Sequence, residues 1–194
     1  MSGAAPSGWQ GDKGDRAAAV EEALFGALSP GESLYVLLDA ARNHEIPLRL
    51  RTGGTHHDCL YEGPTAKELW FVAPYLARCE RDSTFVSWLI ETGWGRSWGT
   101  FVATGVDPAS LRQHFRKFLL VKRDGDEADF YFRFYDPRVL RVFLPTCTRE
   151  EAAEFFGPVR VFITEDPQVS GAVTFTLTPS SVARAPLSLA PSGS

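Results

Sequence analysis

The stretch that decides the fold is DFYFRFYDPRVLRVFLPTC, residues 129–147, which predicts a strand followed directly by a capped helix. Successive side chains of a strand point to opposite faces, so the first seven residues divide into two sets. The set predicted to face the core is Phe130, Phe132 and Phe134. The opposite set carries two phenols and one guanidinium, on Tyr131, Arg133 and Tyr135. These groups combine large contact area with directional hydrogen bonds, which suits partner recognition and also packing under another layer.

A helix is predicted to begin directly after this strand. Asp136 is a suitable N-cap, Pro137 fits the first helical position, and Pro145 ends the helix. The apolar side of the helix is predicted to consist of Val139, Leu140 and Phe143. Arg and Tyr often anchor interfaces, so the sequence predicts a partner-binding surface. Its residues are Tyr131, Arg133, Tyr135 and Arg138. The alternative is that these side chains only cover the sheet.

The flanking sequence predicts further strands and helices. Residues 118–122 and 129–135 read as a hairpin that turns at Asp124-Gly125. Helix N-caps are predicted at Thr65, Asp82, Asp107 and Thr148. Further strands are predicted at 34–38, 59–61, 99–104, 159–163 and 173–177, the last of them an exposed edge strand. Because helical crossovers and hairpins are mixed, we predict an α/β (α+β) fold in which helices pack on a mixed β-sheet.

The chain is predicted to form a single compact lobe with two flexible tails. Residues 1–16 and 179–194 are rich in small and polar residues without periodicity, so we expect both to be loose. Residues 17–178 then form the folded domain, whose first helix is predicted to begin at Ala17. At 194 residues the chain is long enough for one domain with its own core.

Composition excludes several classes of protein. The net charge of -4 argues against a dedicated nucleic-acid binder. The chain has neither the apolar core of a secretory signal nor the roughly 18 apolar residues that span a bilayer, so we expect a cytoplasmic protein without a membrane partner. The three cysteines, Cys59, Cys79 and Cys147, are predicted to be reduced, buried thiols.

The segment Gly95–Gly99 matches G-x-S-x-G, the nucleophile-elbow pattern of serine hydrolases with Ser97 as nucleophile. An elbow needs a strand before the serine and a helix after it, whereas this sequence predicts the reverse order. His114 is the only histidine that follows Ser97. We therefore predict a structural turn in which Trp94, Arg96 and Trp98 organise the fold, with Arg96 donating to carbonyls or a carboxylate.

Two other patterns could carry chemistry. His56, His57, Asp58 and Cys59 place four metal ligands together, and His44 and Cys79 could complete a site, but a polar turn is the preferred interpretation. A cysteine hydrolase using Cys59 or Cys147 is the thiol counterpart of the Ser97 alternative, although apolar surroundings would raise the pKa of either thiol. The sequence has neither a phosphate-binding P-loop nor a dinucleotide fingerprint, so no cofactor is expected.

A basic cluster lies upstream of the quoted stretch. Its members are Arg112, Arg116, Lys117, Lys122 and Arg123. Arg112 and Arg116 are four residues apart, so they share one side of a predicted helix and are interpreted as a solvated face. Acidic residues directly after the cluster would repel phosphate, which again disfavours a nucleic-acid partner.

Eight short motifs in order resemble one protein family over about residues 33–163. They are LYVLLDAA (34–41), CLY (59–61), APYL (73–76), WGRSWG (94–99), FRKF (115–118), YFRFYDPR (131–138), FLPT (143–146) and FFGP (155–158). The chain resembles the adaptor/chaperone domain that accompanies type VI secretion effectors, the Tap/TEC type. The resemblance implies a protein without catalytic activity that binds a toxic effector in the cytoplasm and promotes its loading onto the spike protein VgrG. It also implies that the gene commonly lies between those of its two partners.

Overall fold

The computed structural model describes residues 13–122, 129–167 and 171–189, and helices and strands alternate along them. The helices are α1 (Lys13–Gly26), α2 (Glu45–Thr52), α3 (Gly63–Glu68), α4 (Thr84–Gly93), α5 (Pro108–Arg116), α6 (Pro137–Phe143) and α7 (Arg149–Phe156), with 3-10 turns at Ala40–Arg42 and Leu144–Thr146. The strands are β1 (Ser33–Asp39), β2 (His57–Cys59), β3 (Pro74–Cys79), β4 (Gly99–Thr104), β5 (Leu120–Lys122), β6 (Asp129–Tyr131), β7 (Val159–Asp166), β8 (Gly171–Leu177) and β9 (Val182–Leu187).

Seven of these strands form one sheet in the order β2-β3-β1-β4-β7-β8-β9, and β5 pairs with β6 as a separate hairpin. The predicted class of helices packed on a sheet is confirmed. Every strand pair in the described residues is antiparallel, so the sheet is not of mixed direction. The helical crossover from β3 through α4 to β4 does join two strands of the same direction, but β1 lies between them and runs the opposite way.

The sheet separates two apolar cores. Leu34, Val36 and Leu38 of β1 pack in one core with residues of α1, α2 and α4. Tyr35 and Leu37 of the same strand pack in the other core with residues of α5, α6 and α7. Both faces of β1 are covered, which explains why its sequence is a continuous apolar run rather than an alternation. None of the helices in the described part of the chain is both long and apolar enough to cross a bilayer.

Two predictions about the ends of the domain were wrong. Residues 182–187, expected to be loose, form the edge strand β9, which pairs with β8 from Val182 to Leu187. β8 therefore lies inside the sheet rather than at its edge. Pro186 suits β9 because an edge strand tolerates a residue without an N–H donor. At the other end, α1 begins at Lys13, within the stretch expected to be a tail.

Two of the four N-caps predicted outside residues 129–147 are confirmed. Asp107 and Thr148 cap α5 and α7 as predicted, by accepting hydrogen bonds from Ser110 N at 3.0 Å and Glu151 N at 3.2 Å. The cap predicted at Asp82 was wrong, because Ser83 accepts from Val86 N and caps α4. The cap predicted at Thr65 was wrong as well, since that residue lies within α3 (Gly63–Glu68).

Candidate functional site

One end of the sheet collects most of the residues that the sequence singled out. β1 ends at Asp39, β4 begins at Gly99 and β7 ends at Asp166, and antiparallel pairing brings these three positions to the same end. Asp39 N donates to Trp98 O at 2.8 Å, which ties the end of β1 to the turn before β4. We term this region the Asp39 end of the sheet.

Arg133 reaches the Asp39 end and binds its buried carboxylate. The guanidinium donates to Asp39 Oδ2, while Asp39 Oδ1 accepts from Ala41 N at 3.1 Å and caps the following 3-10 turn. Asp39 is fully buried, whereas the side chain of Arg133 is 44% exposed. A buried carboxylate without a cation is costly, so this ion pair fixes Arg133 while leaving part of its surface in solvent.

The strand that carries Arg133 is shorter than predicted. β6 ends at Tyr131, after pairing with Leu120 of β5, and residues 134–135 form a turn before α6. The predicted hairpin is confirmed as a strand pair, and its Asp124-Gly125 turn lies outside the described residues. The predicted strand therefore ends four residues early, and the predicted alternation of exposure fails at Tyr135, which is buried.

The three phenylalanines predicted to face the core differ in burial. Phe134 is buried, Phe132 is half-buried, and the side chain of Phe130 lies outside what the structure describes. Phe134 packs against Phe115 of α5, with ring centroids 5.5 Å apart.

The two tyrosines of the predicted surface have different positions. Tyr131 is 51% exposed, with its ring 5.4 Å from that of Tyr61. Tyr135 is only 3% exposed and shares a side-chain hydrogen bond with Tyr61, and burial raises its pKa. Its carbonyl accepts from Thr100 Oγ1 at 3.3 Å. The prediction that Tyr135 lies on the exposed face was wrong, because the turn directs it into the core.

Asp136 and Pro137 begin α6 as predicted, and Asp136 also fixes Arg138. The buried Asp136 carboxylate accepts from Arg138 N at 2.9 Å, Nε at 3.0 Å and Nη2 at 2.6 Å. Burial alone would raise the pKa of Asp136, but the hydrogen bonds from Arg138 hold it below its usual value. Arg138 is thereby oriented with about half of its side chain in solvent.

The turn between α4 and β4 binds a second buried carboxylate, that of Glu165 near the end of β7. Glu165 accepts from Gly95 N at 2.5 Å, Ser97 N at 2.7 Å and Ser97 Oγ at 3.2 Å. Gly95 has φ 83° and Ser97 φ 58°, a left-handed backbone conformation that aims both N–H groups at the carboxylate. Burial is the largest influence on the pKa of Glu165 and raises it, although these hydrogen bonds oppose the shift.

The predicted role of Arg96 was wrong. Its side chain is exposed, and backbone N–H groups occupy the carboxylate that it was expected to bind. Its backbone contributes instead, since Arg96 O accepts from Arg42 Nη2 at 3.1 Å. The two tryptophans do organise the turn: Trp98 is buried with its ring 5.5 Å from Trp88, and the Trp94 ring lies 6.1 Å from Phe101.

A cavity of about 320 Å³ opens between this turn and α6. Its wall combines Trp94 and Ser97 from the turn, Arg138 and Arg141 from α6, and Glu165 from β7. Arg141 donates to the carbonyl of Glu165, so α6 is bound to the end of β7. The cavity is bordered by Arg138, whose side chain is about half exposed. Glu165 was not predicted as a site residue. The sequence feature that could have indicated it is a carboxylate just after the predicted strand 159–163.

Ser97 lies in the helix–turn–strand context that the sequence predicted, opposite to the order of a nucleophile elbow. His114 Nε2 donates to Phe155 O at 2.8 Å, and the ring packs against Gly157, next to the start of β7. Ser97 binds Glu165 near the other end of that strand, and six residues of strand span about 20 Å. The two side chains therefore cannot form a catalytic dyad.

The other candidate nucleophiles and ligands occupy structural positions. All three cysteines are free thiols in the described residues. Cys79 is buried as predicted, Cys59 and Cys147 are half-buried, and burial raises the pKa of each thiol. His57 bonds Thr55 O through Nδ1 at 2.8 Å. Across the described ranges, no three His, Cys, Asp or Glu side chains are grouped so that they could hold a metal ion.

The basic residues of α5 do not form the free, solvated face that was predicted. Arg112 Nε donates to Cys59 O at 2.9 Å, and both Arg112 and Arg116 pair with the same Oε1 atom of Glu62. These contacts fix α5 to the β2–α3 connection, beside Tyr61. Lys117 is exposed, whereas the Lys122 side chain and Arg123 lie outside the described residues.

A comparison with protein-family models gives one match in this chain. The model of a domain of unknown function, DUF4123, matches residues 34–154, which run from β1 into α7 and exclude Glu165 and Asp166 of the Asp39 end. Comparisons with curated proteins and with solved structures found no match. Because the match covers more than half of the residues, the chain belongs to the DUF4123 family.

Proposed function

We propose that the protein is a non-enzymatic adaptor that binds a type VI secretion effector in the cytoplasm and promotes its loading onto the VgrG spike. The eight motifs that resemble the effector adaptors support this proposal, and seven of them lie entirely within the residues matched by the family model. The partners would be the cognate toxic effector and VgrG.

The observation that carries the proposal is an exposed surface whose side chains are held in place by the half-buried Tyr61 and the buried Asp39. Tyr131 is 51% exposed and packs on Tyr61, and Arg133 is 44% exposed and bound to Asp39. Side chains that are ordered before binding lose less entropy when a partner docks. Tyr and Arg are also the residue types that most often dominate binding energy.

Leu120 extends this surface and was missed from sequence. It lies directly opposite Tyr131 in the β5–β6 pair, so both side chains project from the same face of the hairpin. Leu120 is 49% exposed. An exposed leucine beside an exposed tyrosine offers apolar area to a partner. The proposed binding surface therefore consists of Leu120, Tyr131, Arg133 and Arg138, with Tyr135 as a supporting core residue.

The test is co-purification with the product of the toxin gene that neighbours the adaptor gene. The double variant Tyr131→Ala/Arg133→Ala should lose effector capture while its far-ultraviolet circular dichroism stays that of the wild type. Tyr131→Ala alone separates binding from stability, because it leaves the Arg133–Asp39 pair intact.

A matched control is available on another face of the protein. Phe71 is 49% exposed, and Arg51 lies over the neighbouring Trp70 ring at 4.0 Å. Phe71→Ala/Arg51→Ala therefore removes one exposed aromatic residue and one arginine of α2, which packs on the opposite side of the sheet from α5, α6 and α7, and it should leave capture unchanged. Loss of capture in this control with normal capture by the Tyr131 variants would place the binding surface elsewhere.

A further inference from the structure

The basic residues of α5 line a cleft of about 550 Å³ that faces solvent beside Tyr61. Its wall consists of Glu62, Arg112, Gln113, Arg116 and Lys117. Three cationic side chains thus face a single carboxylate. This excess of positive charge is local, because the whole chain has a net charge of -4.

The two guanidinium groups are fixed but have unused donors. Arg112 is bound to Cys59 O and Glu62, and Arg116 to the same Glu62 oxygen. Arg116 Nε is buried and has no hydrogen-bond partner. A guanidinium carries five N–H donors, and a buried donor without an acceptor is unfavourable. The buried Nε is out of reach of a ligand, but the side chains of Arg112 and Arg116 are 26% and 30% exposed, so an acceptor that enters the cleft meets ordered outer N–H donors.

We propose that this cleft receives a carboxylate side chain from an acidic segment of a protein partner. Arg–carboxylate pairing matches the planar donor fork in geometry and charge. The cleft adjoins Tyr61, whose ring contacts Tyr131, so one partner segment can occupy both regions. The inference thus rests on the proposed adaptor function and adds the chemistry of the segment that the adaptor recognises.

A carboxylate fits the cleft better than a nucleic-acid phosphate. Glu62 of the wall already pairs with both arginines as a carboxylate, whereas a nucleic-acid phosphate belongs to a long polyanion that the acidic net charge of the chain repels along its length. A single glutamate or aspartate side chain, by contrast, can pair with the outer donors of Arg112 and Arg116 while Glu62 stays in place.

The experiment measures fluorescence anisotropy of a fluorescein-labelled hexaglutamate peptide on the full chain. Glu62→Gln removes the competing carboxylate and should tighten binding about threefold, a gain that misfolding cannot produce. Lys117→Glu reverses an exposed charge in the wall of the cleft, and it should weaken binding about tenfold. Lys67→Glu, the same change on the exposed face of α3, is the matched control and should have no effect.

Two further probes decide between ligand classes. A hexaglutamine peptide should not bind, and single-stranded oligothymidylate with six phosphates should bind more weakly than hexaglutamate. Absence of hexaglutamate binding, insensitivity to both Glu62→Gln and Lys117→Glu, or tighter binding of the oligonucleotide would overturn the proposal. If the Tyr131 variants lose effector capture while the two cleft variants keep it, the adaptor function stands and the cleft inference fails.

Discussion

The chain contains two short motifs of similar composition, WGRSW at 94–98 and FYFRFY at 130–135, and the structure uses them in opposite ways. In the first motif, backbone N–H groups of Gly95 and Ser97 bind the buried Glu165, and Arg96 extends into solvent. In the second, the Arg133 side chain binds the buried Asp39. The arginine side chain therefore binds the buried carboxylate at the second motif, where Asp39 accepts from Ala41 N through its other oxygen, and not at the first, where backbone N–H groups bind both oxygens of Glu165.

The largest effect is expected at the first motif. Glu165→Ala removes the acceptor of two buried N–H groups and leaves both unpaired, so we expect a loss of about 3 kcal/mol in the free energy of unfolding. Urea denaturation followed by tryptophan fluorescence measures it. Glu154→Ala, an exposed glutamate of α7, is the control and should stay within about 0.5 kcal/mol of wild type. An equal, small effect of both substitutions would mean that Glu165 does not hold the turn.

At the second motif we expect Arg133→Ala to lower the free energy of unfolding by about 2 kcal/mol, because Asp39 is left buried without a cation. The half-exposed position of Arg133 keeps this figure below that of a fully buried pair. The double variant Asp39→Asn/Arg133→Ala removes the unpaired charge and should recover about half of the loss. If the double variant loses as much free energy of unfolding as the two single variants together, Asp39 and Arg133 are not coupled.

Two buried carboxylates, those of Glu165 and Asp136, should also differ in how their contributions to stability depend on pH. Glu165 has a pKa raised above its ordinary value of 4.5, so the protonated form is favoured in the folded protein. Its contribution to stability is present below that value and decreases as the pH rises through the folded pKa. In Glu165→Gln this decrease is absent, so the stability of wild type relative to Glu165→Gln should fall as the pH rises from 4.5 through the folded pKa. A constant difference across this range would contradict a raised pKa.

Asp136 should show the opposite dependence. Its pKa is lowered by Arg138, despite the burial that opposes this shift, so the ionised form is favoured in the folded protein. Its contribution is therefore present above the ordinary value of 3.8 and is lost as the pH falls through the folded pKa. Asp136→Asn should abolish that loss, which acid titration of stability would reveal as a flatter curve below about pH 4. An unchanged acid limb in this variant would contradict the lowered pKa.

The smallest effect is expected for Arg96→Ala, whose side chain is exposed and whose contribution comes from its backbone carbonyl. The free energy of unfolding should change by less than about 0.5 kcal/mol. Measured beside Arg133→Ala in the same urea titrations, this variant tests the contrast between the motifs. An equal loss of unfolding free energy in Arg96→Ala and Arg133→Ala would show that the two arginines do not differ in their contribution to stability.

Signals carried by neighbouring residues could be read from sequence. The caps at Asp107, Asp136 and Thr148 and the β5–β6 pairing each depend on residues a few positions apart, and the structure has them all. The class of helices on a sheet followed from the same local patterns. The edge strand β9 was missed because its alanines, proline and arginine have weak strand propensity, and pairing with β8 decides its conformation.

The site could be predicted only in part, because its contacts join distant residues. Arg133 and Asp39 are 94 positions apart, and Gly95 and Glu165 are 70 apart, so no local pattern predicts either contact. Tyr131, Arg133 and Arg138 were chosen correctly as exposed residues of one region. Tyr135 was misplaced because strand alternation was extended through a turn that only tertiary packing determines.

The central claim is that the exposed tyrosine–arginine surface at the Asp39 end binds the effector. The most direct measurement is capture of the neighbouring toxin gene product by Tyr131→Ala and, in parallel, by Phe71→Ala, two substitutions at positions of nearly equal exposure. Tyr131→Ala should weaken capture at least tenfold, which corresponds to about 1.4 kcal/mol of binding energy, with Phe71→Ala at the wild-type level. Wild-type capture by a folded Tyr131→Ala protein would contradict the claim.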